Sequence, residues 1–195
     1  MADPTAARAA IDAANAADPV RITVDGIDRP KELAHADVVE RWVRTLDPDA
    51  DDLQILAARA HHLRRWVVPR SDYPEGRSGY LRWRTDHKKR QAAEVAEILA
   101  ESGYDADAID RVAGIVAKRG LATDPQVQTH EDALCLAFIE LQYDDLAQQL
   151  GDDHMIAVVR KTVAKMSPRG LEAAGTIPMS AHGAELLQAA LAPVT

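Results

Sequence analysis

Imidazole and carboxylate groups recur in this chain at positions that could gather around one metal ion. His35, the doublet His61-His62 26 residues further on, and the distant pair Glu131-Asp132 offer nitrogen and oxygen donors. Such a set suits Zn, Fe, Mn and similar divalent transition ions, and it can be assembled from different helices of a bundle that face one interior. Around the doublet the charge is strongly positive. From Leu56 to Arg90 ten Lys/Arg stand against only Asp72, Glu75 and Asp86, in a chain whose net charge is −8. A basic concentration inside an acidic protein fits an anionic small ligand, or pairing with acidic helices, better than general affinity for nucleic acid. Extended nucleic-acid contact is therefore not expected. Arg70, Arg77, Arg82 and Arg84 frame a loop containing glycine, where the planar fork of arginine suits phosphate or carboxylate. The candidates for holding an anionic substrate are Arg65, Arg70, Arg77, Arg84 and Lys88.

Ordinary structural roles compete with each assignment. A histidine doublet at a helix end can cap carbonyls or complement the helix dipole, and Glu131-Asp132 can be first-turn charge at a helix N-terminus. Lys88, Lys89 and Arg90 fall on a helix face where pairing with solvent or acids is the usual role, and Trp66 and Trp83 are expected to pack. His130, His154 and His182 are read as ordinary polar positions.

Helices must position these groups. Asp3-Pro4 opens a helix running to about Ala16. Val20 to Val24 alternates like a strand and closes on Asp25-Gly26, but without an obvious partner it reads as an extended arm. A second helix from Pro30 carries His35, and a third from about Asp51 to Trp66 carries the doublet. Val68 to Tyr80 is a Pro/Gly/Ser-rich loop, of a length that is usually functional or mobile. Further helices are expected from Leu81 to Ser102, up to about Arg119-Gly120, from Thr123-Asp124-Pro125 to Leu150, and over Met155 to Met166, followed by a weak final one in the tail. Seven to eight helices result. The division is an N-terminal helix and arm over 1–30, a helical domain over 31–175 and a C-terminal tail over 176–195.

Composition agrees with an all-α, single-domain bundle. Hydrophobic residues make up 47% of the chain, but alanine supplies much of that and aromatics only 4%, as closely packed helices require. The single cysteine, Cys135, excludes an intrachain disulfide and lies in an apolar helical run. No signal-like N-terminus and no stretch near 18 apolar residues occurs, so no membrane association and a cytoplasmic location are expected. Alanine-rich helices with apolar residues in the tail are compatible with a homodimer.

At these residues the chain resembles the HD superfamily of helical metal-dependent phosphohydrolases, whose pattern is a lone His, a His-Asp doublet ending an alanine-rich helix, and a distal Asp. Ala57 to Arg65 (AARAHHLRR) looks like that helix, doublet and following basic residue, and THEDALCL looks like the helix with the distal acid. The resemblance covers roughly 31–145. It departs at His62, where Asp is usual, and near Lys118, where many members have another His. It implies one divalent metal (Mn, Zn, Ni, Co or Fe) on His35, His61, His62 and Asp132, with Glu131 or Asp132 the nearest candidate for a general base. The motifs PKEL, HHLRRW, PRSDYPEGRSGYLRWR and QTHEDALCLAF more closely resemble a bacterial and fungal family catalogued as a domain of unknown function, from about Ile11 to Leu171. Some members are labelled glutamyl-tRNA synthetase. Lys165-Met166-Ser167 resembles the KMSK signature, but the partner HIGH motif and a Rossmann-like alternation are absent.

Three functions follow. The first is a metal-dependent hydrolase of a small phosphorylated, nucleotide-like or otherwise anionic metabolite. The second is an iron oxygenase on the same scaffold. The third is a metal-free module that binds an anionic metabolite or RNA through the basic loop.

Overall fold

The computed structural model describes residues 1–192. Its first helix, α1 (Pro4–Ala16), starts where Pro4 occupies the first turn and the Asp3 carboxylate accepts from Ala6 N. The expected extended arm is instead one half of a hairpin. β1 (Arg21–Val24) pairs antiparallel with β2 (Ile27–Pro30), Val24 opposite Ile27 and Arg21 opposite Pro30. Asp25 and Gly26, both at positive φ (52° and 76°), form the tight turn between them. The partner strand was hidden because Ile27-Asp28-Arg29-Pro30 has no alternation of its own.

α2 (Lys31–Leu46) leaves the hairpin without a linker. Asp18 receives its Glu32 N–H at 3.0 Å, and Val20 receives the Lys31 N–H at 2.8 Å, so the start of α2 is clamped by the chain preceding β1. α3 (Asp52–Ala60) is shorter than the periodicity suggested. Beyond Ala60 the chain turns and Arg64 goes left-handed (φ 46°), while the buried Asn15 amide on α1 donates to Arg59 O and accepts from Arg64 N. His61 and His62 thus lie in the turn after the helix, not in its last turn.

Two short 3-10 turns (Arg65–Val67 and Arg70–Asp72) lead to α4 (Gly76–Glu101), which begins five residues before Leu81 and shortens the expected loop. Then come α5 (Ala106–Val116), α6 (Pro125–Gln149), α7 (Asp152–Val163), α8 (Pro168–Ala174) and α9 (Ala181–Leu191). The count among the described residues is nine, above the expected seven to eight, because Ser167-Pro168 starts a helix of its own. The last helix packs on α7, where Leu186 and Ala190 are buried with Met155 and Val159.

Two larger apolar cores meet at α3. Ile55 and Ala58 pack with Val39, Val43 and Leu136, joining α2 and α6, whereas Leu56, Ala57 and Leu63 pack with Ile11, Val95, Leu99 and Ile115 of α1, α4 and α5. The histidine doublet therefore emerges between two well-packed halves. Large-to-small changes in such cores typically cost about 2–5 kcal/mol, so the doublet's position is firmly held.

Candidate metal centre

Glu32 and His35 are three residues apart in the first turns of α2, on one face of the helix and both buried. His62 reaches them from the turn after α3. One donor atom from each of the three lies within 4.8 Å of the others, and His62 Nδ1 stands 3.0 Å from Glu32 Oε2. The rings of His35 and His62 stack with centroids 4.2 Å apart. His61 continues the row at 4.6 Å from His62, and His130 of α6 meets His61 edge-on, Nε2 to Nδ1 at 3.3 Å.

Burial sets the charge state of this row. Loss of solvation lowers the pKa of His35 to about 4 and that of His130 to about 3, and it pushes His61 and His62 well below the ordinary imidazole value. The rings are neutral near pH 7 and keep a lone pair for a metal or a proton. Burial also raises the pKa of the Glu32 carboxyl. With its proton on Nδ1, neutral His62 donates to Glu32; coordination of a metal through Nδ1 would require the other tautomer, with that proton on Nε2. Two neutral imidazoles and one carboxylate, with further coordination positions left to water or substrate, is a donor set of catalytic zinc and non-haem iron sites. The residues present fit a divalent transition ion.

His35 and His62 are brought together as the sequence suggested, and His61 lies directly behind them. Asp132 is not in the group. Its carboxylate accepts from Ser167 N at 2.8 Å, from the Ser167 hydroxyl and from the Gln128 amide at 3.0 Å, which ties α6 to the start of α8. Glu131 is also engaged, buried in ion pairs with Lys118 and, at 3.4 Å, Lys165. Neither acid is placed as a general base. The carboxylate that joins the imidazoles is Glu32, and the imidazole that α6 contributes is His130. The Glu-x-x-His spacing of Glu32 and His35 is the signal that could have found the former.

Two cations beside the cluster have no ion-pair partner among the described residues. The half-buried Arg65 guanidinium stacks over the Trp83 ring at 4.7 Å, yet no side-chain hydrogen bond or ion pair of it occurs among the described residues. Burial lowers its pKa, with Glu32 the leading opposing influence, which places the two charges within each other's field. Lys31, adjacent to Glu32, equally has no acceptor for its ammonium among the described residues. His87, unremarked in the sequence, holds this wall in place: it is buried, its Nε2 is 2.8 Å from Val68 O, and Trp83 packs edge-on against it.

The remaining basic candidates divide differently. Arg70 donates to the carbonyls of Tyr73 at 2.9 Å and Pro74 at 2.8 Å, so it staples its own loop. Arg84 lies over Tyr80 at 5.8 Å, Arg77 is exposed at the start of α4, and Lys88 is half-buried on the same helix. His35 and Lys31 also line a cleft of about 250 Å³ between β1, α2 and the C-terminal half of α6.

The chain belongs to the family described as Domain of unknown function (DUF4202), which matches residues 5–187. No curated protein and no solved structure matches it. No helix among the described residues is long and apolar enough to cross a membrane.

Proposed function

We propose that this protein is a metal-dependent hydrolase of a small phosphorylated or otherwise anionic metabolite, with a divalent transition ion held by Glu32, His35 and His62. The observation that carries this is the pairing of a two-histidine, one-carboxylate cluster, with Glu32 and His35 buried and His62 half-buried, with two cations, Arg65 and Lys31, that have no acceptor among the described residues. Unpaired charge in a partly desolvated position stabilises an incoming anion more than an exposed charge does. A divalent ion in such a site lowers the pKa of a bound water toward neutrality.

The chain's own groups divide the remaining work. Arg65 and Lys31 bind the anionic group and stabilise charge that develops on its oxygens. Trp83 and His87 fix the Arg65 wall. His61 and His130 stand behind the ligands, and a proton shared at the 3.3 Å Nδ1 to Nε2 contact orients both rings.

The test is elemental analysis of protein purified without a His-tag or added metal, together with a phosphate-release screen. Near-stoichiometric Mn, Zn, Ni, Co or Fe that is lost in His62→Ala supports the site; no metal in the purified protein and none taken up on titration overturns it. The same donor set serves iron oxygenases, so bound iron with oxygen consumption and no hydrolysis favours that second chemistry. Arg65→Gln should retain metal while kcat/KM falls about 10- to 100-fold, the scale of one lost charged hydrogen bond.

A further inference from the structure

The cleft beside the imidazoles carries side chains that metal binding leaves unused. Gln142, Asp145 and Gln149 stand at i, i+3 and i+7 on α6 and therefore share one face, a row of roughly 10 Å. All three line the cleft opposite Lys31 and His35. None of their side chains has a hydrogen bond or ion pair among the described residues, and the Asp145 carboxylate and Lys31 ammonium do not approach within the 4.0 Å of a salt bridge. Two opposite charges are thus held apart across one small space. The rest of its wall is aliphatic, from Ile22, Leu141 and Leu146, and no Phe, Tyr or Trp is present on which a nucleobase would stack.

We infer that the substrate is a small zwitterion without an aromatic base: an anionic group beside Lys31 and His35, a protonated amine on Asp145, and a short aliphatic chain between them along Ile22, Leu141 and Leu146. This deepens the function proposed above and rests on its placing of the anionic group. The two unpaired charges then each gain a counter-ion, and the Gln142 and Gln149 amides hydrogen-bond the amine or the water around it.

Binding of ω-aminoalkyl phosphonates of two to six carbons, against the ω-hydroxyalkyl series of the same lengths, tests this by calorimetry on the full chain with the metal it retains. Phosphonates are not hydrolysed, so the result does not depend on turnover. At one or more lengths the amine should bind about tenfold more tightly. Asp145→Asn should erase that preference and leave the hydroxy compounds unchanged; Asp145 is exposed, so the variant should fold. Asp145→Lys should transfer the preference to ω-carboxyalkyl phosphonates. Equal affinity for both series at every length, an amine preference that survives in Asp145→Asn, or binding of neither series overturns the inference. Absence of metal, or of phosphate release from the corresponding phosphate esters, would instead overturn the hydrolase while an amine preference lost in Asp145→Asn still upheld the zwitterion site.

Discussion

Two polar assemblies are built on α2, one on its first turns and one further along, and they follow contrary principles. On one, Arg59 is almost wholly buried and meets three carboxylates: Asp12 at 2.5 Å, Asp37 at 2.9 Å and Glu40 at 2.7 Å, with Arg8 and Arg44 closing on Glu40 from outside. Every charge there has a partner. On the other, Glu32, His35 and His62 cluster with neutral rings, and the cations beside them have no counter-ion among the described residues. A satisfied network fixes how α1, α2 and α3 dock, whereas an unsatisfied one is arranged for something not supplied by the chain. Satisfaction of their charged groups, rather than residue type, is what distinguishes these two assemblies.

The contrast breaks most visibly at Arg59. Arg59→Ala leaves three carboxylates around a vacated position, and loss of one partner from a buried ion network costs about 3–5 kcal/mol. In a chain of this size that should lower the Tm by roughly 10 °C, measured by thermal unfolding.

Acid separates the two assemblies next. Burial works against the charged form of Glu40, but hydrogen bonds from Arg8, Arg59 and Arg44 outweigh it and hold its pKa down at about 2. Its contribution is complete above the ordinary value of 4.5 and disappears as the pH falls through about 2. The imidazoles yield earlier. His35 takes up its proton at about 4 when folded but at 6.5 when unfolded, so stability is full above 6.5 and declines below it. In chelator-stripped protein, denaturant titrations should show a loss of about 1.5 kcal/mol from His35 alone between pH 6.5 and pH 5. A profile flat over that interval would mean that the rings are not held neutral.

A smaller effect tests the placing of Asp132. Ser167→Ala removes both the cap of α8 and the hydroxyl bonded to Asp132, which should cost about 0.5–2 kcal/mol by denaturant midpoint while metal content stays unchanged. Metal loss in that variant would return Asp132 to the ligand set. The least effect on folding is expected from Glu32→Gln. It replaces a buried carboxyl whose pKa is already raised, so stability should shift by less than about 1 kcal/mol while metal affinity falls at least tenfold.

Much of this division was legible in the residues, and its limits have physical causes. The caps at Asp3, Asp51 and Asp124 and the prolines at 4 and 125 mark helix starts that the structure keeps. The site was harder because α6 is buried without interruption from His130 to Ala137. Periodicity cannot assign a face where every face is covered. His130, Glu131 and Asp132 advance about 100° apiece, and they go to three destinations: His61, Lys118 and Ser167. Asp145 and Gln149 were silent for a different reason, since their role depends on β1 and α2 arriving opposite them. The short Arg70 loop shows the reverse error, in which a basic, glycine-containing stretch looked like a ligand clamp but its arginine closes on its own carbonyls.

The hairpin that supplies Ile22 to the cleft is only two strands of four residues, resting on the start of α2. An isolated ribbon of that size has little stability of its own. Its amides should therefore trade protons with solvent through local openings far more often than those of α3 or α6, and a molecule seated against Ile22 would slow that exchange from Arg21 to Arg29 while leaving the helical core unaltered. Deuterium uptake at the hairpin is thus a reporter of occupancy that needs no knowledge of the reaction.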